Sequence, residues 1–146
     1  MKLAPLPYRK PQTKFAKRLQ QLRGVGPITA TALVAAVSNA EQFANGRQMS
    51  AAFGLTPRQH SSGGKERLLG ISKRGDAYLR VLLIHGARSV LRNSKDKDDR
   101  LSQWVTRLAA RSHPNVAVVA MANKTSRMAW AMLKNGTDYQ PAMVTR

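Results

Sequence analysis

Apolar residues recur at helical spacing through most of the chain. In the N-terminal part, Phe15, Leu19 and Leu22 follow an i, i+4, i+7 spacing with lysine and arginine between them, which predicts an amphipathic helix beginning near Gln12. The glycines of the next segment, RGVGPITATALVAAV, interrupt this helix, and its proline and alanine residues begin a second one. The two segments together predict a helix-hairpin-helix.

The same periodicity predicts four further helices downstream. A short one is expected at about 48–53, a central one at about 76–92, one from Leu101 to Leu108, and a last one from Pro114 to its stop at Asn135 and Gly136. No alternation typical of strands persists beyond a few residues, so the predicted fold class is mainly α. The predicted organisation is an extended lead-in at residues 1–11, a helical domain at 12–136 and a tail at 137–146.

The charge of the chain says more about its binding partner than the predicted helices do. The chain has 25 lysine and arginine residues against 7 aspartate and glutamate residues, a formal net charge of +18, and no acidic residue precedes Glu41. Its hydrophobic content of 42% is that of a folded domain. A folded, strongly basic domain is typical of a protein that binds nucleic acid. The short, broken apolar runs predict no membrane partner, and without cysteine the chain can form neither a disulfide nor a thiolate metal site.

The turn of the predicted helix-hairpin-helix, LRGVGPITA, is a candidate phosphate-binding site. Backbone N–H groups at the turn and at the start of the second helix can donate to a phosphate, which Gly24 and Gly26 would allow to come close. Arg23 would add a positive charge beside them. The alternative is a tight turn that needs the two glycines only for steric reasons; the charge of the chain favours phosphate contact.

A basic stretch rich in glycine and serine, GLTPRQHSSGGKERLLGISKRGDAYLR, occupies residues 54–80 between two predicted helices. It is not a P-loop, because Gln59 stands where the first glycine is required and Glu66 follows Lys65. It also lacks the Gly-x-Ser-x-Gly motif of hydrolases. Its spacing alone predicts a long, flexible Gly/Ser-rich basic loop with surface cations.

The sequence gives little support to metal or carboxylate chemistry. The three histidines, His60, His85 and His113, have no partners at metal-ligand spacing. Three of the seven carboxylates crowd into one polar turn, NSKDKDD, and the whole set does not resemble a two-metal nuclease site. No metal site and no cofactor is therefore predicted in this chain.

Three segments of the chain carry a resemblance to a known family. They are LRGVGPITATALVAAV, FANGRQMSAAFGLTPRQHSSGGKERLLGISKRGDAYLRVLLIHGARSVL and MANKTSRMAWAMLKNGTDYQP. On these segments the chain, from about Gln12, closely resembles the C-terminal domain of the IS110/IS116 family of insertion-sequence transposases. The most specific part is the stretch at 54–80, with its ordered Pro-Arg, Ser-Gly, Ser-Lys-x-Gly and Leu-Arg elements.

The resemblance implies a DNA recombinase in which an N-terminal RuvC-like domain bears an Asp-Glu-Asp-Asp set and the C-terminal domain supplies a serine nucleophile. Ser62, directly before the glycine of the Ser-Gly element, takes the nucleophile position, and Ser61 is the second candidate. Glycines of the same stretch would admit the DNA backbone and cations would neutralise its phosphates; these residues are Arg58, Gly63, Gly64, Lys65, Arg67, Lys73 and Arg74.

The RuvC-like half is missing from this chain, which is therefore expected to be inactive alone, with Mg²⁺ belonging to the N-terminal domain. The implied partner is DNA and, because several members of the family choose their DNA with a structured RNA, also a guide RNA; the implied location is the bacterial cytoplasm. Two alternatives stay open. One is a stand-alone helix-hairpin-helix module that binds nucleic acid without covalent chemistry, and the other is an architectural role in homo-oligomerisation, favoured by the apolar pattern of the last helix.

Overall fold

A computed structural model describes residues 14–37, 40–62, 65–71 and 75–145 of the chain. Its elements in chain order are α1 (Lys14–Leu19), α2 (Pro27–Ala36), a 3₁₀ turn (Ala40–Gln42), α3 (Gly46–Ala52), β1 (Pro57–Ser62), β2 (Lys65–Ile71), α4 (Ala77–Asn93), α5 (Arg100–Arg111), α6 (Pro114–Asn135) and a second 3₁₀ turn (Pro141–Thr145). The prediction of a mainly α fold is confirmed. Among the described residues, no helix is long and apolar enough to cross a membrane.

Helix α6 is the centre of the fold, and local signals set both of its ends. Pro114 occupies the first turn, where its missing N–H costs nothing, and the Nδ1 atom of His113 accepts a hydrogen bond from the backbone N–H of Asn115 at 3.1 Å. Gly136 ends the helix in the left-handed region, with φ of 62°. The helix packs on α1, α3, α4 and α5 through a mostly small or flexible buried face: Ala117, Val118, Met121, Ala122, Thr125, Ser126, Met128, Ala129 and Met132.

Helix α4 is the second long helix of the core. Asp76 is its N-cap and accepts a hydrogen bond from the backbone N–H of Leu79 at 3.1 Å. One stripe of the helix is buried, and it is formed by Leu79, Leu83, Ala87 and Val90. The predicted central helix is thereby confirmed, and it packs on both α2 and α6.

Helices α1 and α2 pack against each other as consecutive elements joined by a turn. Leu19 and Leu22 are buried as the periodicity predicts, whereas the side chain of Phe15 is 45% exposed. Phe15 differs because the buried side of α1 is formed by Ala16 and Leu19 rather than by Phe15 and Leu19. The assignment of this pair as a nucleic-acid-binding helix-hairpin-helix stays a prediction.

The Gly/Ser-rich basic stretch, predicted as a long loop, contains an antiparallel two-stranded sheet made of β1 and β2. The expectation that this segment lacks strands is therefore corrected. Periodicity missed the strands because PRQHSS and KERLLGI do not alternate apolar and polar residues. The two-residue Gly-Gly spacing between them, which is typical of a tight hairpin, was the available signal.

The predicted tail, residues 137–146, is packed on the helical domain over its described part. The backbone N–H of Tyr139 donates to the side-chain oxygen of Gln21 at 2.8 Å, and Arg18 forms an ion pair with Asp138 at 3.6 Å. Val144 is buried, and the 3₁₀ turn around it contacts α5. The predicted lead-in, residues 1–11, lies outside the described residues.

Candidate functional site: the serine hairpin and the α1–α2 turn

Ser62 is the last residue of β1, at the end of the hairpin that is distal to the helical domain. Its Cα partner across the sheet is Lys65, whereas the Cα partner of Ser61 is Glu66. Of the two candidate nucleophiles, Ser62 therefore has the register position opposite a lysine and Ser61 the position opposite a glutamate. Gly63 and Gly64, which connect the strands in sequence, lie outside the described residues.

The base of the hairpin is fixed to the C-terminal end of α3. The backbone N–H of Asp76, which follows the hairpin, donates to the carbonyl oxygen of Ala52 at 3.1 Å. This contact needs Gly75, because its φ is +89° and a Cβ atom at this position would lie only 1.9 Å from the Ala52 oxygen. The glycine of the Ser-Lys-x-Gly element thus closes the hairpin onto the domain.

Helix α6 holds the entry to the same hairpin. The side-chain amide of Asn123 donates to the carbonyl oxygen of Leu55 at 3.3 Å, and the hydroxyl of Ser50 donates to the carbonyl oxygen of Asn123 at 3.3 Å. Leu55 is buried and lies two positions before β1 begins. Both ends of the hairpin are therefore anchored, so the strand that ends at Ser62 starts from a defined place on the core.

The two glycines of the α1–α2 turn have different environments. Gly24 has φ of +84°, and a Cβ atom there would lie 2.8 Å from the carbonyl oxygen of Gly86 in α4. Gly26 is the N-cap of α2 and has no side-chain cap, and a Cβ atom added to it would meet nothing within 4 Å. Steric packing therefore explains why position 24 needs glycine, and the open space at Gly26 leaves room for a phosphate near the start of α2. The phosphate contacts of both glycines stay predictions.

Arg23 is engaged with the protein rather than lying free beside the turn. Its guanidinium donates to Asp99 at 3.1 Å, to the hydroxyl of Ser102 at 2.6 Å and to the hydroxyl of Ser94 at 3.2 Å. The Ser102 hydroxyl, together with the charge of Arg23, holds the pKa of Asp99 below its ordinary value. The proposed phosphate contact of Arg23 stays a prediction, and such a contact would have to compete with this network.

The remaining predicted contacts are distributed along the hairpin. Arg58 lies in β1, Lys65 and Arg67 lie in β2, and Lys73 and Arg74 lie outside the described residues. Within the part of the chain that the structure describes, no group of three or more His, Asp or Glu side chains could hold a metal ion.

The glycine turn and the serine hairpin fall inside one stretch that matches a known family. The sequence profile described as Transposase IS116/IS110/IS902 family matches residues 16–103 of this chain. The chain belongs to this transposase family. The match extends from α1 into α5 and includes the whole region from Gly24 to Asp76.

Individual transposases extend the similarity to α6. The chain is 52% identical over 125 residues to a probable family 20 transposase of Pseudomonas aeruginosa, an alignment that covers 86% of this chain and 37% of that protein. It is 51% identical over 124 residues to the transposase for insertion sequence element IS1111A of Coxiella burnetii, covering 85% and 34%. It is 42% identical over 124 residues to the transposase for insertion sequence element IS1328 of Yersinia enterocolitica, covering 85% and 37%. This transposase chain therefore spans about a third of the length of these relatives.

Sequence reasoning missed several residues that build the site of this transposase chain. Gly75 lies in a motif that was singled out, but its packing partner, Ala52, is on another helix. Gly86 and Asn123 lie in predicted helices, and their importance comes from contacts with Gly24 and Leu55, which are distant in sequence. Only a glycine inside an otherwise apolar helix stripe, as at Gly86, hints at a close backbone approach.

Proposed function

We propose that this chain is the DNA-binding, serine-bearing C-terminal domain of a transposase, and that it acts together with a RuvC-like domain. The observation that carries the proposal is the position of Ser62, which ends β1 opposite Lys65 on a hairpin anchored at both ends. The net charge of +18 supports a polyanionic partner. Membership of a transposase family supports DNA as that partner.

In the proposed chemistry, the hydroxyl oxygen of Ser62 attacks a phosphorus atom of the DNA backbone. A new bond forms between Oγ and phosphorus, and the bond between phosphorus and one sugar oxygen breaks. One DNA end is then held as a phosphoserine ester, while the other end leaves as a hydroxyl that carries the proton lost by the serine. Because one phosphate ester replaces another, a hydroxyl from a second DNA end can attack the phosphoserine and rejoin the strand.

The attack on DNA needs positive charge around the phosphate and activation of the serine, and we assign these two requirements to different domains. The cations of the hairpin, Arg58, Lys65 and Arg67, supply positive charge where the phosphate becomes more negative during the attack. A serine hydroxyl is a weak nucleophile at neutral pH and needs a base or a metal to activate it. The carboxylates and Mg²⁺ that we assign to the other domain would supply that activation, so this chain alone should bind DNA without reacting with it.

A guide RNA and self-association belong to the same proposal. An RNA would be bound through its phosphates by the same dispersed cations. Apolar residues that remain exposed, such as Tyr78 and Val81 on α4, are available to a second domain or subunit.

The second candidate function, a nucleic-acid-binding module without covalent chemistry, is favoured by the open start of α2 at Gly26. The two functions are separated by whether Ser62 forms an ester with DNA.

The charge of the chain predicts DNA binding that depends steeply on salt and little on sequence. Each phosphate neutralised should add about −0.9 to the slope of log affinity against log salt concentration. We expect a slope of about −3 or steeper for this chain with a duplex of about 20 base pairs, measured by fluorescence anisotropy, and affinities within about threefold for duplexes of unrelated sequence. A flat salt dependence would refute DNA binding through the backbone.

Gly26 allows a direct test of phosphate contact at the start of α2. Asp and Asn are both good N-caps, so Gly26→Asp and Gly26→Asn should each keep or slightly raise the free energy of unfolding. Only aspartate adds a negative charge where a phosphate would lie. We therefore expect Gly26→Asp to bind the duplex about five- to tenfold more weakly than Gly26→Asn at low salt.

The control for this comparison is Gln103→Glu, which makes the same change in net charge at an exposed position of α5. Its affinity should fall by no more than about twofold, because a single exposed charge among many contributes little. Equal affinities of the Gly26→Asp and Gly26→Asn proteins would show that the turn between α1 and α2 has only a structural role.

A further inference from the structure

A cavity of about 390 Å³ lies between α6, the beginning of α3 and the C-terminal segment, away from the predicted site residues. Its walls combine cations, uncharged hydrogen-bonding side chains and apolar surfaces. The residues that define this character are Lys124, Arg127, Met128, Trp130, Asn135 and Gln140. None of the described residues that line the cavity is acidic.

Two cations are held close together at this cavity. Lys124 and Arg127 lie one helical turn apart on α6, which places them on neighbouring positions of the helix surface. The ammonium of Lys124 lies 4.7 Å from the centre of the Trp104 ring, so its position is fixed by a cation–π contact. Burial, and then the charge of Arg127, lower the pKa of Lys124. Two like charges side by side, without a lining carboxylate, favour the binding of an anion.

The remaining walls suit the other parts of a nucleotide. The side chain of Met128 and the ring of Trp130 line the cavity with apolar surface, and the amides of Asn135 and Gln140 carry both donors and acceptors of hydrogen bonds. The Trp130 ring already has two partners, because the ammonium of Lys134 lies 4.9 Å from its centre and its indole N–H donates to the carbonyl oxygen of Ala40, so a base would have to share the ring with Lys134. Aromatic stacking combined with side-chain amides is the usual means by which proteins bind an unstacked base. A cavity of this volume is also within the range of small-ligand sites.

The position of the cavity relates it to the serine hairpin. Gly46, at the beginning of α3, lines the cavity and packs on the backbone of Arg127, where a Cβ atom would lie 3.1 Å from the Arg127 Cα. The other end of α3, at Ala52, holds the base of the hairpin. The seven residues of α3 correspond to about 10 Å, which is about three steps along one DNA strand.

We propose that this cavity binds one unstacked nucleotide of a nucleic-acid strand, with the phosphate on Lys124 and Arg127 and the base against Trp130 and Met128. The inference rests on the proposed function, since the same strand would continue toward Ser62. It adds a specific nucleotide-binding site on α6 to a surface that otherwise contacts only the phosphate backbone. The cavity would thereby fix the register of the strand relative to the serine hairpin.

Tryptophan fluorescence tests this site selectively, because both tryptophans of the chain are next to it. Trp130 lines the cavity, and the ring of Trp104 contacts the ammonium of Lys124, which also lines it. A single-stranded DNA of about twelve nucleotides should quench the emission with saturation. The double variant Lys124→Gln/Arg127→Gln should bind this DNA at least about tenfold more weakly and show a salt slope smaller by about 1 to 2.

A matched control is Lys14→Gln/Lys17→Gln, which removes two exposed lysines from α1 and changes the net charge equally. It should lose no more than about threefold in affinity. Equal losses in the two double variants, or DNA binding by anisotropy without any change in tryptophan emission, would overturn the cavity assignment and leave the proposed function standing. Equal affinity for an abasic strand of the same length would also overturn it, because that result describes an anion site without base recognition.

Two further results complete the test. If the chain binds neither duplex nor single-stranded DNA at low salt, the proposed function itself fails. If the cavity double variant does not fold, as judged by circular dichroism and urea unfolding, the single variant Arg127→Gln replaces it, because Arg127 is exposed. That single variant should weaken DNA binding more than Lys14→Gln, and an equal effect would contradict the proposal.

Discussion

Ser62→Ala is expected to abolish strand transfer when the chain is joined to its acidic domain, with a loss in rate of at least about 10⁴-fold. The reason is that alanine removes the only atom that forms the proposed ester with DNA. DNA affinity should stay within about twofold of the parent, because the hairpin is anchored by Ala52, Leu55 and Gly75 rather than by Ser62. Strand transfer on a labelled duplex and anisotropy on the same duplex measure the two quantities.

The control for this prediction is Ser61→Ala, which removes a hydroxyl from the neighbouring register position, opposite Glu66. Its strand transfer should persist at a rate within about tenfold of the parent, since it contributes packing or orientation at most. Normal strand transfer by the Ser62→Ala protein would remove the covalent part of the proposed function. Loss of DNA binding in the same protein would instead assign Ser62 a structural or binding role.

Gly86→Ala is expected to lower the free energy of unfolding by about 2 kcal/mol or more. Alanine usually stabilises a helix relative to glycine by about 1 kcal/mol, but here its Cβ atom would lie 2.0 Å from the carbonyl oxygen of Gly24. The obstacle is backbone that cannot rotate away, so α4 and the α1–α2 turn must separate, and overpacking of this kind costs about 1–3 kcal/mol or more in addition to the lost helix gain. Urea unfolding followed by circular dichroism measures the change.

The matched control is Gly26→Asn, which also adds a Cβ atom to a glycine but at a position where that atom would meet nothing within 4 Å. Its free energy of unfolding should stay within about 0.5 kcal/mol of the parent. If Gly86→Ala is as stable as Gly26→Asn, the close contact between α4 and the turn does not hold the two together, and the steric explanation of Gly24 is wrong.

The helices of this domain were predictable because their determinants are local. Proline at the start of α6, glycine at its end and Asp76 at the start of α4 mark boundaries within one turn of the residues they affect. The buried stripe of α4 follows the helical period. These features require no knowledge of which elements become neighbours.

The hairpin and its anchors were not predictable in the same way. The strand sequences PRQHSS and KERLLGI do not alternate apolar and polar residues, and the positions of Gly75 and Gly86 matter because a distant backbone oxygen lies next to each of them. The ion pair of Arg23 was not predictable for a similar reason, since its partner Asp99 belongs to the turn before α5. The identity of Ser62 as the candidate came from family resemblance, and the structure contributed its register opposite Lys65.

Covalent attachment of Ser62 to DNA is the step on which the proposed function depends. The direct measurement joins the chain to its acidic domain, traps the reaction with a nicked duplex that releases one end irreversibly, digests both polymers and identifies the modified peptide by mass spectrometry. We predict a nucleotide remnant on Ser62, and none on the same serine when the chain is incubated with the DNA alone. A remnant on Ser61 or on another residue, or strand transfer that proceeds with no protein–DNA adduct, would show that Ser62 is not the nucleophile.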